Sequence, residues 1–381
     1  MSLSNTPISE LNLLTKINSL GERYEERFGS PPERISHWDP SPQLSSRLLP
    51  LLDVTVIDDP IRYIYSEDQN IVHSLLHALS LDPLKKSGLL VHNGTSAMLC
   101  AETYLRLKGL EGLVVTCPSY YPIYYAGKNF TRFDRVDLSR TNGRFTLPPG
   151  IPEALPSNVA LWLTSPVYST GSYIADLEIL KLDRFLKRGG TLVADECLAR
   201  SHRLLARRLG HHEGFIGLYC PHKSICVNGF KFAFVAAPIN DGCTLQQISD
   251  VTVGGLNVAT LCAVRHFLSR SFADYENAFI LQIEHERLEF LKNINDIPNL
   301  ELDAEADGHF LTVYFPAIAA EMSDSIDFLW RAMAASGSLF IPGKRNHFGV
   351  GCGFCFRLNL ARGGPAFHGA VVRLCRYLST L

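Results

Sequence analysis

The feature that most constrains this chain is a pair of apolar runs joined through a loop that carries a lysine. The first, Thr191-Leu-Val-Ala-Asp195-Glu196, ends in two carboxylates. That is the pattern of a buried strand delivering an acid at its carboxyl end. Further on, Cys220-Pro-His-Lys223-Ser-Ile-Cys-Val-Asn-Gly229-Phe-Lys231 leads into a second run, Phe232-Ala-Phe-Val235. Runs of the same kind end at His92, at Cys117 and at Ser165, each opening into a polar or aromatic loop. Helical periodicity lies between them. Leu177–Arg188, closed by Gly189-Gly190, reads as a crossover helix with Leu177, Leu180, Leu182 and Phe185 facing inward. Strands alternating with helices predict an α/β protein.

An acid on one strand end and a lysine on a neighbouring loop are what pyridoxal 5'-phosphate requires. The carboxylate keeps the pyridine nitrogen protonated, and the lysine amine holds the aldehyde as a Schiff base and moves protons. Taken alone, Lys223 could equally be an exposed loop lysine. The order and spacing of Asp195, Lys223, Gly229 and Lys231 argue against that. From about Tyr65 to Arg357 the chain resembles the fold-type I pyridoxal-phosphate enzymes, in particular the class I/II aminotransferases. The resemblance implies a large domain with a mixed, mostly parallel sheet flanked by helices, and a smaller α/β domain built from both chain ends. Residues 1–60 would supply part of the small domain and an active-site lid, 61–285 the large domain, and 286–381 the rest of the small one. It also implies a homodimer with shared active sites.

Further residues carry the resemblance. Asn93-Gly94-Thr95-Ser96 stands at a strand-to-helix turn, where backbone N–H groups favour an anion; in the family this is the phosphate cup. Pro118-Ser119-Tyr120 matches the motif whose aromatic ring stacks on the pyridine, while Tyr121, Tyr124 and Tyr125 read as helix-packing residues. Lys231 stands eight residues past Lys223, where the family has a phosphate-binding arginine, and His222 takes a place the family often gives to a small hydroxyl. Tyr65, with Tyr63 next, matches a tyrosine that in the family reaches the partner subunit's phosphate, with a surface tyrosine at a helix entry as the other reading. Arg357, mid-strand in Phe356-Arg357-Leu358, corresponds to the arginine that clamps the substrate α-carboxylate, with an internal ion pair as the other reading. Trp38, before two prolines, is a candidate lid and substrate contact, or a plain packing residue.

The chain departs from the family at the cofactor's phenolic oxygen. The motif that normally supplies an asparagine there reads Pro166-Val-Tyr168-Ser-Thr-Gly171, and a tyrosine expected three residues past Asp195 is Leu198. The Tyr168 hydroxyl is the expected replacement. The resulting expectation is an aminotransferase acting on an α-amino acid and an oxo acid. Elimination, replacement, cyclisation or oxidation on the same scaffold is the alternative.

The bulk properties agree. The 381 residues carry a formal net charge of −2, which disfavours nucleic acid or an anionic membrane as partner. No apolar run approaches the roughly 18 residues of a membrane span. The arginines Arg200, Arg203, Arg207 and Arg208 read as a solvated face, and His211-His212 as too isolated for a metal. Ten cysteines lie mostly in apolar runs, which fits a reduced, cytoplasmic protein. Cys352-Gly-Phe-Cys355 has no second pair at zinc spacing, so no metal is expected.

Overall fold

The computed structural model describes residues 6–52, 68–346 and 348–381. Tyr63 and Tyr65 lie outside them. Seven strands form the main sheet: β1 (Lys86–Val91), β2 (Gly112–Cys117), β3 (Arg132–Asp137), β4 (Val159–Thr164), β5 (Thr191–Asp195), β6 (Phe215–Tyr219) and β7 (Ala233–Pro238). Their order is β1-β7-β6-β5-β4-β2-β3. All neighbours are parallel except β7, which runs antiparallel to both β1 and β6. Six of them are buried along essentially their whole length, β5 apart from its first residue and β7 apart from its last, as strands covered by helices on both faces must be.

A second, three-stranded antiparallel sheet has β8 (Phe310–Phe315) and β9 (Ile341–Pro342) flanking β10 (Phe354–Asn359). Its apolar core joins both chain ends. Leu13, Ile17 and Leu20 of α1 (Thr6–Phe28) pack with Phe328 and Met333 of α2 (Ile326–Ser336) and with Phe367 and Leu374 of α3 (Gly364–Ser379). Two helices, Val258–Phe267 and Arg270–Ile294, broken at Leu268-Ser269, follow the main sheet.

Two sequence expectations are corrected here. In the crossover helix Asp176–Lys187 the buried apolar face is Ile179, Leu182, Phe185 and Leu186, while Leu177 and Leu180 are exposed. At about 100° per residue, positions 177 and 180 fall on the opposite side from 182. Arg200 is not part of a solvated face. It is buried beside Asp307, whose carboxyl is raised by burial against the pull of Arg200 and Arg203. The His211-His212 pair does have an acidic neighbour, Asp183, but that carboxylate is already engaged by His212 and by Lys187.

Candidate active site

The candidate cofactor residues carried by the main sheet leave it at one edge. Asn93-Gly94 follow β1, Ser119-Tyr120 follow β2, Ser165 follows β4, Asp195 ends β5, and Lys223 follows β6. These are the carboxyl ends of the parallel strands, where a crevice opens in α/β sheets. Two buried hydroxyls tie the crevice together: Ser119 Oγ lies 2.8 Å from Thr164 Oγ1 and donates to the Thr116 carbonyl.

Lys223 sits in a single helical turn, Pro221–Ser224, with its Nζ 4.9 Å from the ring centres of both Trp38 and Tyr120. Burial disfavours its cation, but Cys197, Tyr168, Cys220 and Asp195 outweigh it and leave the amine raised. Burial holds the Cys197 and Cys220 thiols neutral, so Asp195 is the carboxylate that faces the amine. Asp195 is itself raised by burial, against Lys223 and the Cys197 N–H, which donates to its Oδ1 at 3.2 Å. A carboxylate in so dry a setting interacts strongly with whatever proton donor it meets.

The turn after β1 lies against the same loop. Gly94 N–H reaches Cys220, and the charge of Lys231 reaches the same sulfur. A Cβ on Gly94 would come 3.2 Å from Cys197 Sγ, a tight contact that the sulfur would have to ease by giving way slightly. Asn93 caps the helix Gly94–Leu107, accepting from Ser96 N–H at 3.0 Å and from the Ser96 hydroxyl. Thr95 is therefore the less engaged hydroxyl. His222 does not join the group. Its ring is fully buried against Phe230, Phe232 and Phe272, with Nε2 2.9 Å from His266 Nδ1, and burial lowers its pKa to about 3. A contact with a phosphate does not fit that position.

Arg357, in β10, enters from the small sheet. Its guanidinium lies 5.0 Å from the Trp38 ring and 4.4 Å from Phe310. Nη2 donates to the Ser36 carbonyl at 2.8 Å, the Tyr168 oxygen accepts a further bond, and Nε has no partner. Burial lowers its pKa, yet no carboxylate pairs with it among the described residues. Among the described residues, then, no internal ion pair holds it. Tyr168 is buried 5.7 Å from Tyr120, and Leu198 packs beside it.

No family model matches the sequence, and no curated protein matches it. Solved structures do match over nearly the whole chain. Bna3p of Saccharomyces cerevisiae, a candidate kynurenine aminotransferase, shares 12% identity at a TM-score of 0.76, covering 97% of this chain and 96% of that one. YbdL of Escherichia coli, with a methionine aminotransferase function, shares 15% at 0.75, covering 99% and 97%. An aromatic aminotransferase of Pyrococcus horikoshii shares 16% at 0.70, covering 94% and 98%. The fold is that of the fold-type I aminotransferases.

Within this aminotransferase fold three contacts were not foreseen. Tyr121 is no mere helix-packing residue: its ring lies 5.1 Å from Tyr120 and lines the crevice. Ser36 and Phe310 border Arg357. Arg345 stands over Tyr121, its guanidinium 4.3 Å from the ring centre. The signal for Arg345 was the pair Lys344-Arg345 in a glycine-rich stretch ahead of the arginine strand.

Proposed function

We infer that this chain binds pyridoxal 5'-phosphate and transfers an amino group between an α-amino acid and an oxo acid. The observation that carries this reading is the shared indole. The Lys223 amine and the Arg357 guanidinium lie 4.9 and 5.0 Å from the Trp38 ring, and no carboxylate among the described residues pairs with the guanidinium. An amine that can hold an aldehyde thus stands one ring away from a cation that can hold a substrate carboxylate. The residues present fit the cofactor. Asp195 would pair with the pyridine nitrogen and Tyr120 would face the ring. Gly94, Thr95, Ser96 and Lys231 would hold the phosphate, and Tyr168 the phenolic oxygen.

When bound, the cofactor supplies a protonated ring that accepts the electron pair released from the substrate's Cα–H bond. Arg357 orients the substrate through its carboxylate, a two-pronged contact that a lysine could not reproduce. Lys223, as a free amine, is the base within the crevice that takes the Cα proton and returns it. Asp195 keeps a proton on the ring nitrogen because its dry surroundings strengthen that bond. Trp38, Tyr120 and Tyr168 exclude water from this face. The same reading takes the active form as a homodimer in the cytoplasm, divided into a large domain and a small one near residues 60 and 285. No helix among the described residues is long and apolar enough to cross a membrane.

Elimination, replacement, cyclisation or oxidation is a second reading, favoured by one observation: Tyr168 stands where an amide is usual, and its oxygen is also bonded by Arg357. Spectroscopy tests both. Protein loaded with pyridoxal phosphate should show the visible band of a lysine-bound aldehyde, and Lys223→Ala should lose it. Addition of an amino acid should then bleach the wild-type band toward the near ultraviolet with release of an oxo acid. Ammonia release with the band restored would favour the second reading, and an unchanged band in Lys223→Ala would overturn the choice of lysine.

A further inference from the structure

The cavity beside Lys223 and Arg357 holds about 360 Å³. It runs from Trp38, Tyr120 and Tyr168 toward the amino-terminal helix and the turn Gly343–Asn346. Its far wall carries Arg345, and the state of that side chain is unusual. Arg345 is only 8% exposed, its Nε has no hydrogen-bond partner, and no acid pairs with it among the described residues. The neighbouring Lys344, by contrast, is exposed and bonded to Asp324. A buried cation without an anion is costly, and the cost persists only where a ligand supplies the missing charge or the position is otherwise held. Here the guanidinium stands over Tyr121, 4.3 Å from the ring centre, and both residues line the cavity.

The two cations are arranged in series. Contacts lead from Lys223 to Tyr120 at 4.9 Å, to Tyr121 at 5.1 Å and to Arg345 at 4.3 Å, while Arg357 borders the near end. A substrate whose α-carboxylate sits on Arg357 would lay its side chain along this aromatic wall. Its tip would come to Arg345. Both arginines line the cavity, and Arg345 is among the charges that lower Arg357. Two cations that no acid among the described residues compensates, on one small cavity, ask for two anions.

We propose that Arg345 binds a carboxylate at the end of the substrate's side chain, so that the preferred substrate is an acidic α-amino acid. This rests on the amino-acid chemistry inferred above and adds its side-chain class. The geometry assigns recognition of that carboxylate to this chain's own arginine.

Binding and turnover test it separately. Calorimetric titration of the pyridoxal-phosphate-loaded protein with glutarate and with pentanoate compares a dicarboxylate with its monocarboxylate counterpart. Glutarate should bind about 10–100-fold more tightly, the factor expected for a hydrogen-bonded charge pair. Arg345→Gln should erase that difference, and Arg345→Lys should keep part of it, because charge remains and the fork is lost. In turnover, kcat/KM for glutamate over glutamine should collapse by the same factor in Arg345→Gln. Equal binding of glutarate and pentanoate by the wild-type protein, or equal weakening of both in Arg345→Gln, overturns the proposal. Should Arg345→Gln fail to fold, the wild-type comparison and the Lys variant still decide. A colourless protein that prefers glutarate would sink the cofactor reading alone, and a coloured one that prefers neutral ligands would sink this one alone.

Discussion

Glu196, one residue past the acid of the crevice, shows how burial alone reshapes a side chain's chemistry. Its carboxyl is pushed up to about 8 by burial, although Leu205 N–H, Ala206 N–H and the Tyr219 hydroxyl all favour its charged form. The folded value lies above the ordinary 4.5, so the folded protein binds more protons than the unfolded chain between those limits. This group's contribution to stability is complete below about pH 4.5 and is lost as the pH rises through about 8. Glu196→Gln fixes the neutral state. Thermal melts should therefore favour the variant increasingly from pH 5 to pH 8, by on the order of a few kcal/mol, and level off above. The sequence displayed Glu196 but not this behaviour, because burial depth is not written in a strand's local pattern. The places of Lys223, Asp195, Tyr120 and Arg357 were legible for the opposite reason: each stands at the end of, just after, or within a strand that an apolar run announces. Arg345 was not, since only the folding of its turn across the crevice brings it to Tyr121.

At the scale of elements, the joints are less legible than the strands. The apolar runs announced the main-sheet strands near the crevice, and Gly189-Gly190 announced the end of the crossover helix. Its inward face was misphased because Leu177 and Leu180 are as apolar as the residues that are buried, and composition alone cannot rank two faces. One joint invites measurement. The turn Pro166–Gly171 meets the small sheet where Asp307 N–H donates to the Gly171 carbonyl at 3.0 Å and Thr312 Oγ1 donates to the Ser169 carbonyl at 2.9 Å. Gly171 has φ +71°, and a Cβ there would come 2.5 Å from the Phe310 carbonyl oxygen. Gly171→Ala should lower stability by about 1–3 kcal/mol in denaturant titrations, through strain and overpacking together. It should also weaken substrate binding, because the same turn carries Tyr168 against Arg357.

Over the whole molecule, the two sheets are fastened by a charge cluster on the rim. Arg140 lies 3.8 Å from the Tyr314 ring and bonds Asp303 and Glu301 at 2.7 Å each, with the Asp303 side chain fully buried. Arg140→Ala leaves that carboxyl without its cation and should cost about 3–5 kcal/mol in chemical denaturation. Arg144→Ala, which breaks an exposed pair with Glu305, should cost about 1 kcal/mol or less. A cost of similar size for both would show that the rim cluster does not fasten the sheets. Trp38 joins the same two halves from inside. Its carbonyl accepts from Asn228 of the lysine loop at 3.0 Å, and Asn359 of β10 donates to the His37 carbonyl beside it at 2.7 Å. One indole thereby acts as a common hinge pin: shifting it would disturb the surroundings of Lys223 and of Arg357 in a single stroke. New preferences in a descendant of this protein would have to arise at the outer end of the crevice, where a change leaves that pin alone.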